Sequence, residues 1–233
     1  MITLHAGKLG QGKSYWATRE VWKTINRGID CYVNWRIDFD AYFARERRGW
    51  RGFLWKWWNR LTFGNEKIGK VYYWENFDDL YKIRQGELFF DEAHQELNSR
   101  KWADIPKEFV KKLTLSRHYH LNMHFISQHQ GQVDVIVRRL ANYFTRHYKF
   151  WFLFIWKEWD GEAIEILANP AMPKPKSMGF GVHLFDKVLA GCYNSFWLPG
   201  EKEEYKQAPM WSEDSFIQKR SILKSLKLNK NNV

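Results

Sequence analysis

The sequence holds 233 residues with a formal net charge of +11, 45% hydrophobic residues and two cysteines. That length suits one domain with at most a small appendage, and the apolar fraction suffices for a sizeable core. Cys31 and Cys192 lie too far apart for a ligand cluster or a disulfide framework, which leaves them as packing residues of a cytosolic protein, and the positive balance points to a polyanionic partner, nucleic acid or an anionic membrane surface.

In chain order, Ile2 to Ala6 reads as a short buried strand with no basic leader before it, and Gly7 to Gly12 as a loop. Ser14 to Asn26 reads as a helix, with Gly28 as its C-terminal stop signal. Cys31 to Val33 is a second strand, and Phe39 to Arg47 is helical. An aromatic and basic insert follows, Gly49 to Leu61, with Trp50, Trp55, Trp57 and Trp58 among Arg51, Lys56 and Arg60. Val71 to Trp74 is a strand, and Asn76 caps a helix start. Glu87 to Asp91 is a buried strand ending in acid. Pro106 to His118 is a helix with proline in its first turn. Met123 to Ser127 is a strand and Val133 to Ala141 a helix. Tyr143 to Trp159 and Ala163 to Ala168 read as late strands joined at Asp160-Gly161. The apolar run Phe150 to Trp156 is far shorter than the roughly 20 residues that span a bilayer, and its aromatic and branched content predicts a buried strand. Pro170, Pro173 and Pro175 mark a break, and a basic tail closes the sequence. Strands alternating with helices predict an α/β fold with a mainly parallel central sheet flanked by helices, residues 1–200, followed by the tail at 201–233.

Gly7-Lys8-Leu9-Gly10-Gln11-Gly12-Lys13-Ser14 fits the phosphate-loop pattern G-x-x-x-x-G-K-[ST], with a strand before it and a helix after it. The glycines let the backbone N–H groups face phosphates, and the helix N-terminus adds partial positive charge. Lys13 is expected to reach the β- and γ-phosphates of ATP, and the Ser14 hydroxyl to ligate Mg²⁺. Leu88-Phe89-Phe90-Asp91-Glu92 puts acids at a strand's C-terminal end, where ligands of parallel sheets sit. Asp91 would complete the Mg²⁺ shell and Glu92 would polarise the attacking water. Asp91-Glu92-Ala93-His94 also spells a helicase box, but the chain is too short for the two motor domains such helicases need. Gln128, after the strand 123–127, is a candidate γ-phosphate sensor or a capping residue. Arg117 is a candidate arginine finger presented to a neighbouring subunit's nucleotide, or a surface arginine.

The ordered set resembles the ATPase domain of the zonular occludens toxin (Zot) family of filamentous phages, within the FtsK/HerA branch of P-loop NTPases. It runs from the phosphate loop through Phe-Phe-Asp-Glu-Ala, Ser-Arg-His and Ile-Ser-Gln-His-Gln to a helix with Arg138-Arg139. Tyr32-Val33-Asn34 is similar to that family's second strand, and the resemblance covers roughly residues 1 to 148. It implies a RecA/FtsK-like fold, a hexamer or other homo-oligomer, and ATP hydrolysis coupled to DNA movement. It also implies that Arg117 and Gln128 are the arginine and glutamine that recur around the branch's fourth strand. Genome-packaging ATPases of icosahedral viruses with an internal membrane share the branch and are of about this size. Filamentous-phage members usually continue into a transmembrane helix and an external domain. This sequence does not, which shifts weight toward a packaging motor.

The expected function is therefore an ATP-hydrolysing motor moving single- or double-stranded viral DNA in packaging or virion assembly. Its expected place is the host cytoplasm, the virion or the periphery of a membrane, with capsid or membrane assembly proteins as partners. A Zot-type membrane-associated export ATPase, a small-molecule P-loop kinase and a nucleotide-binding scaffold are the alternatives. For the insert, packing, nucleic-acid stacking and membrane-surface contact all stay open. His118, His120, His124 and His129 crowd one stretch, without the carboxylate or cysteine spacing of a metal site.

Overall fold

The computed structural model describes residues 1–46, 68–98, 105–169 and 171–193. The aromatic-basic insert, Pro170 and the basic tail lie outside the described residues. Among the described residues, no helix is long and apolar enough to cross a membrane.

The strands are β1 (Ile2–Ala6), β2 (Cys31–Val33), β3 (Val71–Tyr73), β4 (Gly86–Phe90), β5 (Leu121–Ser127), β6 (Tyr143–Phe150), β7 (Leu153–Asp160) and β8 (Gly179–Leu184). They form one sheet in the order β3-β2-β4-β5-β1-β6-β7-β8. Pairings from β3 across to β6 are parallel, and β7 and β8 add on antiparallel. The helices are α1 (Lys13–Asn26), α2 (Asp40–Glu46), α3 (Phe77–Lys82), α4 (Lys107–Thr114), α5 (Val135–Leu140), α6 (Ala163–Ala168) and α7 (Lys187–Ala190). This is the α/β, mainly parallel P-loop fold that the sequence predicts.

The sheet faces two distinct layers. One face is apolar: Ile2, Leu4, Ala6, Leu88, Phe90, Met123, Phe125 and Phe144 pack with Phe109, Leu113 and Ile164 from the helices. On the other face α1 contributes Tyr15, Trp16, Ala17, Val21 and Ile25. Beneath it, the central strands bury polar groups, namely Thr3, His5, Thr145, His147 and Glu87. Alternation along a strand sends Phe90 to one face and Phe89 to the other, so β4 is apolar on both sides, as a central parallel strand must be.

Several expectations are corrected. Ala163 to Ala168 is a helix, not a strand, and the hairpin turns at Trp151-Phe152 rather than at Asp160-Gly161. Phe150 pairs with Leu153, which leaves a two-residue loop between two eight-residue strands. Gly161 serves a different purpose. A Cβ there would lie 1.8 Å from the Ala141 carbonyl oxygen, and its N–H bonds the Asn142 carbonyl. The good helix formers Ala, Leu and Glu then carry α6 across the end of the sheet, burying Ala163 and Ile164. The apolar run is thus not one buried strand, because Phe150, Trp151 and Phe152 are 70%, 84% and 53% exposed. The helix begun at Pro106 ends at Thr114, where residues 115–120 turn to bring the chain back to β5. α5 is likewise shorter than the expected 133–141, since the Asp134 side chain accepts the Ile136 N–H and fixes its start. β8 and α7 have no counterpart in the sequence reading.

Candidate nucleotide site

β1 ends at Ala6, and the chain must reverse over the sheet edge to start α1 at Lys13. Gly10 and Gly12 make that possible with φ of 75° and 79°, in the left-handed region. Gly12 is required a second time, because a Cβ there would lie 2.0 Å from the Phe154 ring. The Trp16 N–H bonds the Gly12 carbonyl oxygen at 2.9 Å, so the loop passes directly into α1. Lys13 is buried, and its ammonium donates to the Lys8 carbonyl oxygen at 3.3 Å. Burial lowers its pKa, against the pull of Glu92 and Asp91, which raise it.

The Ser14 hydroxyl donates to Asp91 Oδ2 at 2.6 Å, joining the loop to the acidic end of β4 two strands away. Asn34, just after β2, clamps Asp91 from the far side. Its Oδ1 accepts the Asp91 N–H at 2.8 Å and its Nδ2 donates to the Asp91 carbonyl at 2.9 Å. Burial raises the Asp91 pKa, the Ser14 hydrogen bond opposes it, and the Glu92 charge adds to the rise. Glu92 adopts φ 51°, a left-handed conformation that costs on the order of 1–3 kcal/mol and holds the side chain at the edge. Its Oε2 is 3.2 Å from His94 Nδ1 but out of line for a hydrogen bond, so both atoms are buried without a hydrogen-bond partner.

Gln128 follows Ser127, which pairs with Ala6, so the structure brings it beside the root of the loop. Arg117 is not brought there. It is exposed in the turn before β5, at the opposite edge, where its charge adds to burial in lowering the pKa of the Met1 amine. The seven residues of β5 separate it from the Gln128 end by roughly 20 Å.

The histidines sort differently from their sequence spacing. His118, His120 and His129 are exposed, and His124 instead joins His5 and His147 under α1. His5 Nδ1 lies 3.2 Å from His147 Nε2 and His5 Nε2 lies 3.1 Å from His124 Nδ1. His124 Nε2 faces Glu87 at 3.7 Å, which also accepts the Thr24 hydroxyl at 2.9 Å. Trp16 covers the row, with its ring 4.1 Å from that of His5. Burial, first, drives all three toward the neutral form: His124 to about 4, His147 to about 3 and His5 well below its usual range. At its β6 end the row meets the loop, since a Cβ on Gly7 would lie 3.0 Å from the His147 carbonyl oxygen.

Asn34 and His147 are site neighbours to which the sequence reading gave no role. Each acts through a strand adjacent in space and distant in sequence, so even Asn34, within the family-like Tyr32-Val33-Asn34, carries no sign of its role in the sequence.

The zonular occludens toxin (Zot) family model matches residues 1–151. The N-terminal domain of zonular occludens toxin from Neisseria meningitidis is similar in structure, with TM-score 0.50 and 14% identity over 83% of this chain and 98% of that one. B204, the DNA-packaging ATPase from Sulfolobus turreted icosahedral virus, aligns with TM-score 0.48 and 14% identity over 79% of this chain and 97% of that one. No curated protein matches in sequence.

Proposed function

The chain belongs to the zonular occludens toxin family, and from that premise and the loop's geometry we propose that it is an ATP-hydrolysing motor that moves viral DNA in genome packaging or virion assembly. The observation that carries the reading is the 2.6 Å contact between Ser14 and Asp91, which unites the phosphate loop and the acidic strand end in one site. A phosphate loop alone binds nucleotide; an acidic pair set against it allows hydrolysis.

The donor set suits Mg²⁺, which takes few protein ligands and fills its shell with phosphate and water. Ser14 Oγ and the Asp91 carboxylate would hold it, and the buried Asp91 gains from a cation that offsets its desolvation. When bound, the cation supplies charge stabilisation to the phosphates. The loop N–H groups of Gly7 to Ser14 and the Lys13 ammonium bind the polyphosphate. Glu92, whose side chain is partly exposed beside Asp91, accepts the proton of the attacking water. Gln128 reports the γ-phosphate from the tip of β5. Arg117, at the far edge, acts on the nucleotide of an adjoining copy in a homo-oligomer.

The net charge of +11 favours DNA held through its phosphates, so binding should weaken steeply with salt. Family membership also supports a membrane-associated phage-assembly ATPase, and flotation with vesicles separates that reading from the packaging motor. The test of the shared core is the ATP hydrolysis rate of the wild type and of Lys13→Ala, with and without double-stranded DNA, alongside the oligomer mass. Wild-type turnover that is lost in Lys13→Ala is expected. Equal turnover by both would remove the loop from the reaction.

A further inference from the structure

The direction of a nucleotide across the loop follows from what stands on either side. Ser14 and Asp91 would hold the metal on the β4 side, and Gln128 follows β5, so the outer phosphates would lie on the β4–β5 side of β1. The nucleoside then leaves the loop on the other side of β1, where β6 is its neighbour.

That side is built against the loop. Gln11 Oε1 accepts the Lys149 N–H at 2.6 Å, and the Phe154 ring fills the space a Cβ on Gly12 would take. The Lys149 ammonium lies 5.6 Å from the centre of the Phe154 ring. Tyr15, next after Ser14, stacks on Phe154 with centroids 4.7 Å apart, and its ring is 5.8 Å from that of Phe185. The Phe185 N–H donates to the Phe152 carbonyl at 2.8 Å, so the end of β8 is tied to the β6–β7 turn and two phenylalanines stand on adjoining segments. Tyr15 and Phe154 are buried at 2% and 5% exposure, whereas Phe152 and Phe185 are 53% and 47% exposed. The open Phe185 ring, continuous through Phe154 and Tyr15 with the phosphate loop and tied by its backbone to Phe152, suits a flat heteroaromatic ligand, because every base has a π-face.

We propose that Phe152 and Phe185 form a stacking shelf for the base of the bound nucleotide, with the Lys149 ammonium on its phosphate side. This deepens the nucleotide-site reading above and rests on it. Two phenylalanines hold a base by its face and leave its edge unread. ATP and GTP are therefore expected to bind within about tenfold of each other.

Calorimetric titration of the full chain with Mg²⁺ and ATP, GTP or inorganic tripolyphosphate tests the shelf. ATP and GTP should both bind more tightly than tripolyphosphate. Phe152→Ala and Phe185→Ala should each weaken ATP and GTP about tenfold and leave tripolyphosphate unchanged, with Phe185→Trp restoring ATP affinity. A wild type that binds tripolyphosphate as tightly as ATP overturns the shelf and leaves the phosphate site standing, as does unchanged ATP affinity in both alanine variants. A wild type that binds neither ATP nor tripolyphosphate overturns the nucleotide-site reading and the shelf with it. The wild-type arm needs no variant to fold.

Discussion

At the C-terminal ends of β1 and β4 the chain buries Lys13, sets Asp91 against Ser14 and forces Glu92 into a left-handed conformation; at the N-terminal ends it leaves Arg117 exposed near the Met1 amine. The first edge concentrates charge and burial, and the second carries a solvated cation. In a parallel sheet every helix N-terminus that follows a strand collects at the first edge, which makes it the electrostatic place for phosphate. Arg117 cannot reach that edge within its own subunit. On the proposed reading the site has two halves, which a second copy brings together.

Breaking the exposed half is expected to have the largest effect. Arg117→Ala should reduce turnover by roughly 10³-fold or more while ATP affinity holds, the loss expected of an arginine that acts in trans. Normal hydrolysis by that variant would end the two-edge account. On the buried half, Glu92→Gln should lower turnover by about 10²–10⁴-fold with ATP still bound, measured as the single-turnover rate beside equilibrium binding. Unchanged turnover would remove Glu92 from its role.

Asn34→Ala acts on the buried half more gently. It leaves the acidic residues in place and removes only the clamp on Asp91, so turnover should fall by roughly 10–100-fold. The deficit should shrink as Mg²⁺ is raised; a variant indifferent to Mg²⁺ concentration would speak against a positioning role.

The histidine row between the two edges bears on stability rather than on turnover. His5, His124 and His147 are held neutral by burial, with folded-state pKa values below the ordinary 6.5. Above pH 6.5 neither folded nor unfolded chain carries the extra proton, and stability is at its full value. As pH falls below 6.5 the unfolded chain takes up protons that the folded one refuses down to about 4 at His124 and about 3 at His147. Each histidine then costs up to about 1.4 kcal/mol per pH unit. The urea midpoint should drop between pH 7 and pH 5, and a flat midpoint over that window would contradict the buried neutral row.

The parts of this molecule legible in its sequence are those whose physics is local. Gly10, Gly12, Lys13 and Ser14 sit in one loop, and Ile2 to Ala6, Cys31 to Val33 and the end of β4 at Phe90 carry their own patterns. The acidic pair was legible because strand and acid are consecutive. What escaped is non-local. Asn34 gains its role only because β2 lies beside β4, and His147 only because β6 lies beside β1. The Phe150 to Trp156 run misled because hydrophobicity alone does not separate a buried strand from an exposed turn. The antiparallel register decides that, and register is a property of two strands. α6 reads as a strand from its sequence because six residues are too few for an apolar period to separate helix from strand.

On the proposed reading, Lys13 of one copy and Arg117 of another serve the same nucleotide. The most direct test is the ATP hydrolysis rate of Lys13→Ala and Arg117→Ala chains, each alone and mixed in equal amounts under conditions that allow subunit exchange. Each alone should be nearly inactive, and the mixture should regain a measurable fraction of wild-type turnover at interfaces that pair an intact Lys13 with an intact Arg117. A mixture as silent as its components, from chains shown to co-assemble, would rule out a nucleotide shared between Lys13 and Arg117.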